Sequence, residues 1–220
     1  MTHILSIDSS TSVCSVALHQ NGKLVAHTET FLERSHSRNI THMTNELLAL
    51  CEFSNTQLDA IAVSAGPGSY TGMRIGISTA KGYCFGFDKP LISVSSLYAI
   101  AAQLAAQVPG MYYIPMIDAR RMEVYCAVYD EHLNEVMREQ AHIITEESFR
   151  EQIQSHNVFI GGSGSEKFKE INHAEDIRYN IGAYPSASCM GTKALQKFEA
   201  GLFEDIAYFE PNYLKEFYTK

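Results

Sequence analysis

The sequence predicts an α/β fold made of two halves with the same element order. Two observations carry this. In the first half, apolar runs of strand length alternate with helix-length amphipathic stretches in the order βββαβαβα. After Val108-Pro109-Gly110 three strands, a helix and a strand follow again, and the first strand of each half ends on an aspartate, Asp8 and Asp118. The duplication is one of order, not of sequence. It divides the chain into an N-terminal lobe, 1–107, and a smaller acidic lobe, 108–220.

Each element has its own signal. Ile4, Leu5 and Ile7 form a short strand that stops at Asp8-Ser9-Ser10-Thr11-Ser12. Val13 to Leu18 and Leu24 to Thr30 flank Gln20-Asn21-Gly22-Lys23, a hairpin turn. Ser35 to Cys51 reads as a helix, with Ile40, Met43, Leu47 and Leu50 on one stripe. A buried strand at Leu58 to Ala65 leads through the glycine-rich loop Gly66 to Gly72 into a helix from Met73 to Phe87. A strand at Leu91 to Val94 and a helix from Ser95 to Gln107 complete the half. In the second half, strands are expected at Tyr112 to Ile117, Val124 to Tyr129, Val136 to Ile144 and Val158 to Ile160. Helices are expected at Glu146 to Gln154 and Ser186 to Glu199.

Composition narrows the function classes. Of 220 residues, 45% are hydrophobic and 19% charged, which is globular rather than disordered. The net charge of −8 argues against gripping a phosphate backbone unaided, because that needs clustered Lys and Arg. Most of the negative charge lies after residue 105, so the near-neutral first half is the expected place for a protein contact. Cys14, Cys51, Cys84, Cys126 and Cys189 are odd in number and lack C-x-x-C spacing, which excludes a disulfide framework and a cysteine-rich zinc site. No basic leader and no membrane-length apolar run are present, so a cytoplasmic protein without membrane contact is expected.

Four segments could carry chemistry. Asp8-Ser9-Ser10-Thr11-Ser12 is either a phosphate-cradling turn with a cation-holding carboxylate or a hairpin that satisfies its own backbone. Ala65 to Gly76 joins a buried strand to a helix, the usual place of an anion site, but is neither a P-loop nor a dinucleotide fingerprint. The helix after it carries Gly72, Gly76 and Ala80 at i, i+4, i+8, and Gly82 and Gly86 repeat that spacing. Two interior glycines cost about 1 kcal/mol each against alanine, so something compensates. A close approach to the chain's own sheet would do so, as would a helix of a second subunit. Asp118 to Tyr125, with Arg120 and Arg121 between two acids, suits a salt-bridged hairpin or anion recognition. Gly161-Gly162-Ser163-Gly164 is a bare turn after a strand, open either to a nucleotide or to ordinary packing. No zinc-protease pattern and no G-x-S-x-G elbow is present.

Taken together, Ile4 to Thr11, Gly66 to Gly76, Ala80-Lys81-Gly82, Asp118 to Tyr125 and Pro211-Asn212-Tyr213-Leu214-Lys215 resemble the bacterial TsaB (YeaZ) family, in order and along the whole chain. Gly-Pro-Gly-Ser-aromatic-Thr-Gly-x-Arg-x-Gly is the specific part. Tyr70 stands where Phe is usual, and Lys215 where Arg is common. The resemblance implies an actin/hexokinase/Hsp70-like (ASKHA) fold of two βββαβα-type lobes. It implies a non-catalytic subunit that binds a TsaD-like transferase, with a TsaE-like ATPase, in forming N6-threonylcarbamoyladenosine at position 37 of tRNAs reading ANN codons. TsaD-like proteins carry an H-x-x-x-H metal pair where this chain has Val94-Ser95-Ser96-Leu97-Tyr98-Ala99, and serine and leucine cannot replace imidazole ligands.

The resemblance further implies an interface built on Ile40, Met43, Leu47, Gly72, Arg74, Gly76 and Ala80, which pairs with the transferase or, alone, with a second copy. It implies tRNA contact only through the complex and no intrinsic cofactor or metal. ATP or ADP would bind weakly, mainly in the complex, at Asp8, Ser9, Ser10, Gly161 and Gly162. The rival reading is an ATP-dependent kinase or hydrolase on the same scaffold, with Asp8 or Asp118 as its base.

Overall fold

A computed structural model describes residues 1–32 and 35–215. The described residues form two compact units, one of Met1–Ala99 with Pro185–Asn212, the other of Ile100–Tyr184 with residues 213–215.

The first unit begins with the expected meander, β1 (His3–Asp8), β2 (Cys14–Gln20) and β3 (Lys23–Thr30). Asn21 and Gly22 make the β2–β3 turn with φ of 49° and 75°, the left-handed pair that a two-residue hairpin needs. Helix α1 (His36–Leu50), strand β4 (Ala60–Gly66), helix α2 (Tyr70–Phe87) and strand β5 (Leu91–Ser95) follow. The sheet order is β3-β2-β1-β4-β5, with β1 antiparallel to β2 and parallel to β4. β1 is central and buried from Ile4 to Asp8, which explains its nearly unbroken apolar run. Ile40, Met43 and Leu47 of α1 and Ile77, Ala80 and Cys84 of α2 close one core with Leu5, Ile7, Val16 and Val63.

Helix α3 (Ser96–Gln107) runs from the first unit into the second. There β6 (Tyr112–Asp118), β7 (Glu123–Tyr129), β8 (Glu135–Ile143), α4 (Arg150–Ser155), β9 (Val158–Gly161), α5 (Ser165–Ile171) and β10 (Arg178–Asn180) appear in turn. The sheet order is β10-β9-β6-β7-β8. Read from its other edge, it repeats the first sheet strand for strand, antiparallel pairs included. The duplicated order expected from the sequence is therefore a duplicated topology.

The units do not follow a cut after residue 107. Helix α6 (Gly191–Glu199) returns to the first unit, where Gly191 lies so close to the His19 ring that any side chain there would overlap it. Glu204 bridges to Leu91 of β5, and the Lys197 ammonium donates to Ser93 at 3.1 Å. Three further details differ from expectation. Helix α2 starts three residues early because Ser69 caps it, accepting from the Gly72 amide. The last helix starts late because a 3-10 turn at Ala187–Cys189, capped by Ser186, precedes it. α5 and β10, seven and three residues long, are too short for a periodicity to register.

Candidate functional site

The Asp8–Ser12 turn joins β1 to β2 at the end of the central strand. Asp8, Ser9 and Ser10 are each at most 2% exposed. The Asp8 carboxylate accepts from the Ser10 amide and hydroxyl, both at 3.0 Å. Burial pushes its pKa up, and the Ser10 amide, the Ser64 and Ser10 hydroxyls and the nearby His36 offset only part of that. Ser64 in turn shares a hydrogen bond with Ser96 at 2.7 Å. This is a closed polar cluster.

The glycine-rich segment is the lid of that cluster. The Ser69 amide donates to the Ser10 carbonyl at 2.6 Å, and the Ser9 hydroxyl donates to the Gly72 carbonyl at 2.8 Å. A Cβ on Gly68 would overlap the Ser10 carbonyl, one on Gly72 the Ser9 carbonyl, and one on Gly76 the Ser9 hydroxyl. The glycines therefore exist so that α2 can lie directly on the turn. Asn212 completes the enclosure, its amide donating to Ala65 at 2.8 Å. Asp8, Ser9 and Ser10, expected to meet nucleotide, face this chain's own backbone instead.

The expected interface residues divide. Ile40, Met43, Leu47, Gly72, Gly76 and Ala80 are buried within the first unit, so they build the helix pair rather than touch a partner. Arg74 alone of the seven is exposed, and its guanidinium lies 4.1 Å over the Tyr70 ring. The small-residue pattern has two halves with opposite duties. Gly72, Gly76 and Ala80 face inward, while nothing lies within 4 Å of the Cβ positions of Gly82 and Gly86. Phe85, on this outward face with Ser78, is 81% exposed, and Leu50 at the end of α1 is 80% exposed. Phe85 carried no signal of its own in the sequence; the spacing of Gly82 and Gly86 pointed to its face.

In the second unit Gly161 and Gly162 are also taken up by packing. A side chain on Gly161 would press on Leu104 and the Asn180 carbonyl. Gly162, at φ 107°, lies against the Met116 carbonyl. Asp118 is partly exposed and bonds to Lys167 at 2.6 Å and to the Arg120 amide. Burial opposes its ionisation, but these two partners outweigh it and hold its pKa below the usual range. Glu123 pairs with Lys215. The acids of this hairpin are thus ion-paired with two lysines distant in sequence, and the nearby Arg120 charge adds to the hold on Asp118. Burial pushes the Cys14, Cys84 and Cys126 thiols up to about 12, which leaves them protonated. Among the described residues no three His, Cys, Asp or Glu side chains group to hold a metal ion, and no helix is long and apolar enough to cross a membrane.

Residues 29–217 match the family model of TsaD, tRNA N6-adenosine threonylcarbamoyltransferase. The tRNA threonylcarbamoyladenosine biosynthesis protein TsaB of Escherichia coli is 33% identical, over 96% of this chain and 94% of its own length. The TsaB of Haemophilus influenzae is also 33% identical, over 96% and 93%. A crystal structure of a Pseudomonas aeruginosa protein, described as uncharacterized with similarity to peptidase YeaZ, superposes with a TM-score of 0.86 at 27% identity, covering 98% of this chain and all of that one. The ethanolamine utilization protein EutJ of Carboxydothermus hydrogenoformans shares the fold alone, with a TM-score of 0.51 at 12% identity over 89% of this chain and 90% of its own. The fold is of the actin/hexokinase/Hsp70 type. With this identity sustained along nearly the whole chain, the protein belongs to the TsaB (YeaZ) family of tRNA threonylcarbamoyladenosine biosynthesis proteins.

Proposed function

We propose that this chain is a non-catalytic subunit that supports a TsaD-like transferase, together with a TsaE-like ATPase, in forming N6-threonylcarbamoyladenosine at position 37 of tRNAs that read ANN codons. The observation that carries the reading is the closed Asp8–Ser10 turn. A fold of this type that used nucleotide there would leave backbone amides and hydroxyls open to phosphate. Here Gly68, Gly72 and Gly76 bring the chain's own helix into that space. The Val94–Ala99 stretch also lacks imidazole ligands.

The contact with the transferase uses the outward face of the α1–α2 pair. Phe85 and Leu50 are its apolar anchors, and bare Gly82 and Gly86 allow close helix approach. The same face pairs two copies when the transferase is absent. The subunit has no cofactor of its own. ATP or ADP binds weakly and mainly in the complex, and tRNA is reached only through the complex, consistent with a net charge of −8.

A kinase or hydrolase reading would need Asp8 or Asp118 as a free base. The first is enclosed and the second is tied to Lys167. The test is a reconstituted reaction of tRNA, threonine, bicarbonate, ATP and the other pathway proteins, run with and without this chain. Product lost on omission and restored on addition supports the reading. Equal product either way overturns it.

A further inference from the structure

We propose that the turn between β6 and β7 is a docking element that grips an acidic segment of a partner protein through Arg120 and Arg121. The turn lies wholly within the second unit. Both arginines are exposed, and they hold backbone φ of 71° and 50°. Two successive side-chain-bearing residues in the left-handed region are disfavoured, because each Cβ crowds the following carbonyl. The β2–β3 turn meets the same demand with Asn21 and Gly22, which suit it. The turn itself therefore gains nothing from arginine, and a disfavoured backbone of this kind points to work done by the side chains.

Three observations say what these side chains meet. The first is charge. Lys167 pairs with Asp118 and Lys215 with Glu123, so the two arginines are in surplus. Arg120 adds its charge near Asp118, but among the described residues neither guanidinium has an ion-pair or hydrogen-bond partner. The second is rigidity. The Ala119 amide donates to the Glu123 carbonyl at 3.1 Å, the Glu123 amide to the Arg120 carbonyl at 3.2 Å, and the Lys215 ammonium to the Ala119 carbonyl at 3.3 Å. The turn is thus fixed before a partner arrives, which lowers the ordering cost of binding. The third is apolar surface. Met122 is 44% and Ile143 68% exposed, and they stand at the same end of the sheet, where the Ile144 amide donates to the Met122 carbonyl at 2.9 Å. Arginine and methionine are both enriched at protein contacts. Carboxylates would take the guanidiniums in bidentate pairs, and an aliphatic side chain between them would cover Met122 and Ile143. A nucleic acid fits less well, because most of the chain's negative charge lies after residue 105 and would repel an extended phosphate backbone. The site is separate from the outward face of α1 and α2 and does not rest on the transferase reading.

The full chain is titrated, by fluorescence anisotropy, with a labelled hexapeptide of alternating glutamate and leucine, with its glutamine counterpart, and with a labelled hexamer of uridine. Saturable binding of the glutamate peptide, about tenfold or more tighter than either control and weakened by salt, is expected. Arg120→Asn combined with Arg121→Gly supplies residues suited to the left-handed turn. This double variant should melt a few degrees above the parent and bind the peptide about tenfold or more weakly. Met122→Ser, at an exposed position, should weaken the peptide severalfold with the melting temperature unchanged. Absence of saturable peptide binding, binding unchanged in the double variant, or uridine hexamer bound more tightly than peptide overturns the proposal. Self-association of the parent that the double variant loses assigns the turn to a second copy and overturns it likewise.

Discussion

The Ser9 carbonyl oxygen occupies the place where Gly72 would carry a Cβ, and the Ser9 hydroxyl donates to the Gly72 carbonyl at 2.8 Å. The first turn of α2 is thereby fastened to the end of the central strand. Gly76 extends the contact by one helical turn, against the same Ser9 hydroxyl. Gly72→Ala and Gly76→Leu should therefore each destabilise the isolated chain, by about 3 kcal/mol, through overpacking, the first against the Ser9 backbone and the second against the buried Ser9 side chain and Val63. Thermal unfolding of the two variants checks this; melting temperatures equal to the parent's would mean that α2 stands further from the turn.

Gly82 and Gly86 should behave in the opposite way. They lie in the same helix, yet nothing is near their Cβ positions. Gly82→Ala should stabilise the isolated chain by about 1 kcal/mol, the usual propensity difference in a helix interior. If the bare face serves a partner helix, Gly82→Leu should weaken co-purification with a TsaD-like protein while the chain alone remains fully folded. A variant that is more stable and still binds at parental strength would remove Gly82 from the contact.

Phe85 separates the partner role from the core role more directly. At 81% exposure its side chain contributes little to the unit's own burial. Phe85→Asp should leave thermal unfolding within a degree or two of the parent and abolish both assembly with the transferase and self-pairing. Sedimentation or light scattering of the two chains, alone and mixed, reads both effects. Unchanged assembly would place the interface elsewhere on the unit.

What the sequence made legible follows from which interactions are local. Strands β1 to β3 and helix α1 announce themselves through alternation, an Asn-Gly turn and an apolar stripe, and the structure has them within about two residues. The glycine spacing of α2 was equally visible, but its meaning was not. Facing Ser9 and facing a partner helix leave the same i, i+4 pattern, and only the fold decides that Gly72 and Gly76 point inward while Gly82 and Gly86 point out. The pairing of Asp118 with Lys167, 49 positions away, and of Glu123 with Lys215, 92 positions away, had no local signature; from the sequence only the neighbouring arginines were in view, and of these Arg120 adds its charge near Asp118. The return of α6 to the first unit likewise depends on the close fit of Gly191 to His19, which no periodicity encodes.

Asp8 gives the prediction that most sharply divides the two functional readings. Burial raises its pKa above the ordinary 3.8, so between that value and the raised one the folded chain holds a proton that the unfolded chain has lost. Stability must then fall as pH climbs through this window, because the native state binds more protons there than the unfolded state. Asp8→Asn removes the titration, and its carbonyl oxygen can still accept from Ser10. The variant should gain stability relative to the parent on going from about pH 4 to about pH 7, and it should still support threonylcarbamoyladenosine formation in the reconstituted reaction. A carboxylate that held a cation would be stabilised in its charged form, and the difference would run the other way; a carboxylate that worked as a base would be revealed by loss of product in the Asn variant. Urea unfolding of both proteins at the two pH values, read beside the product assay, distinguishes a structural aspartate from a reactive one.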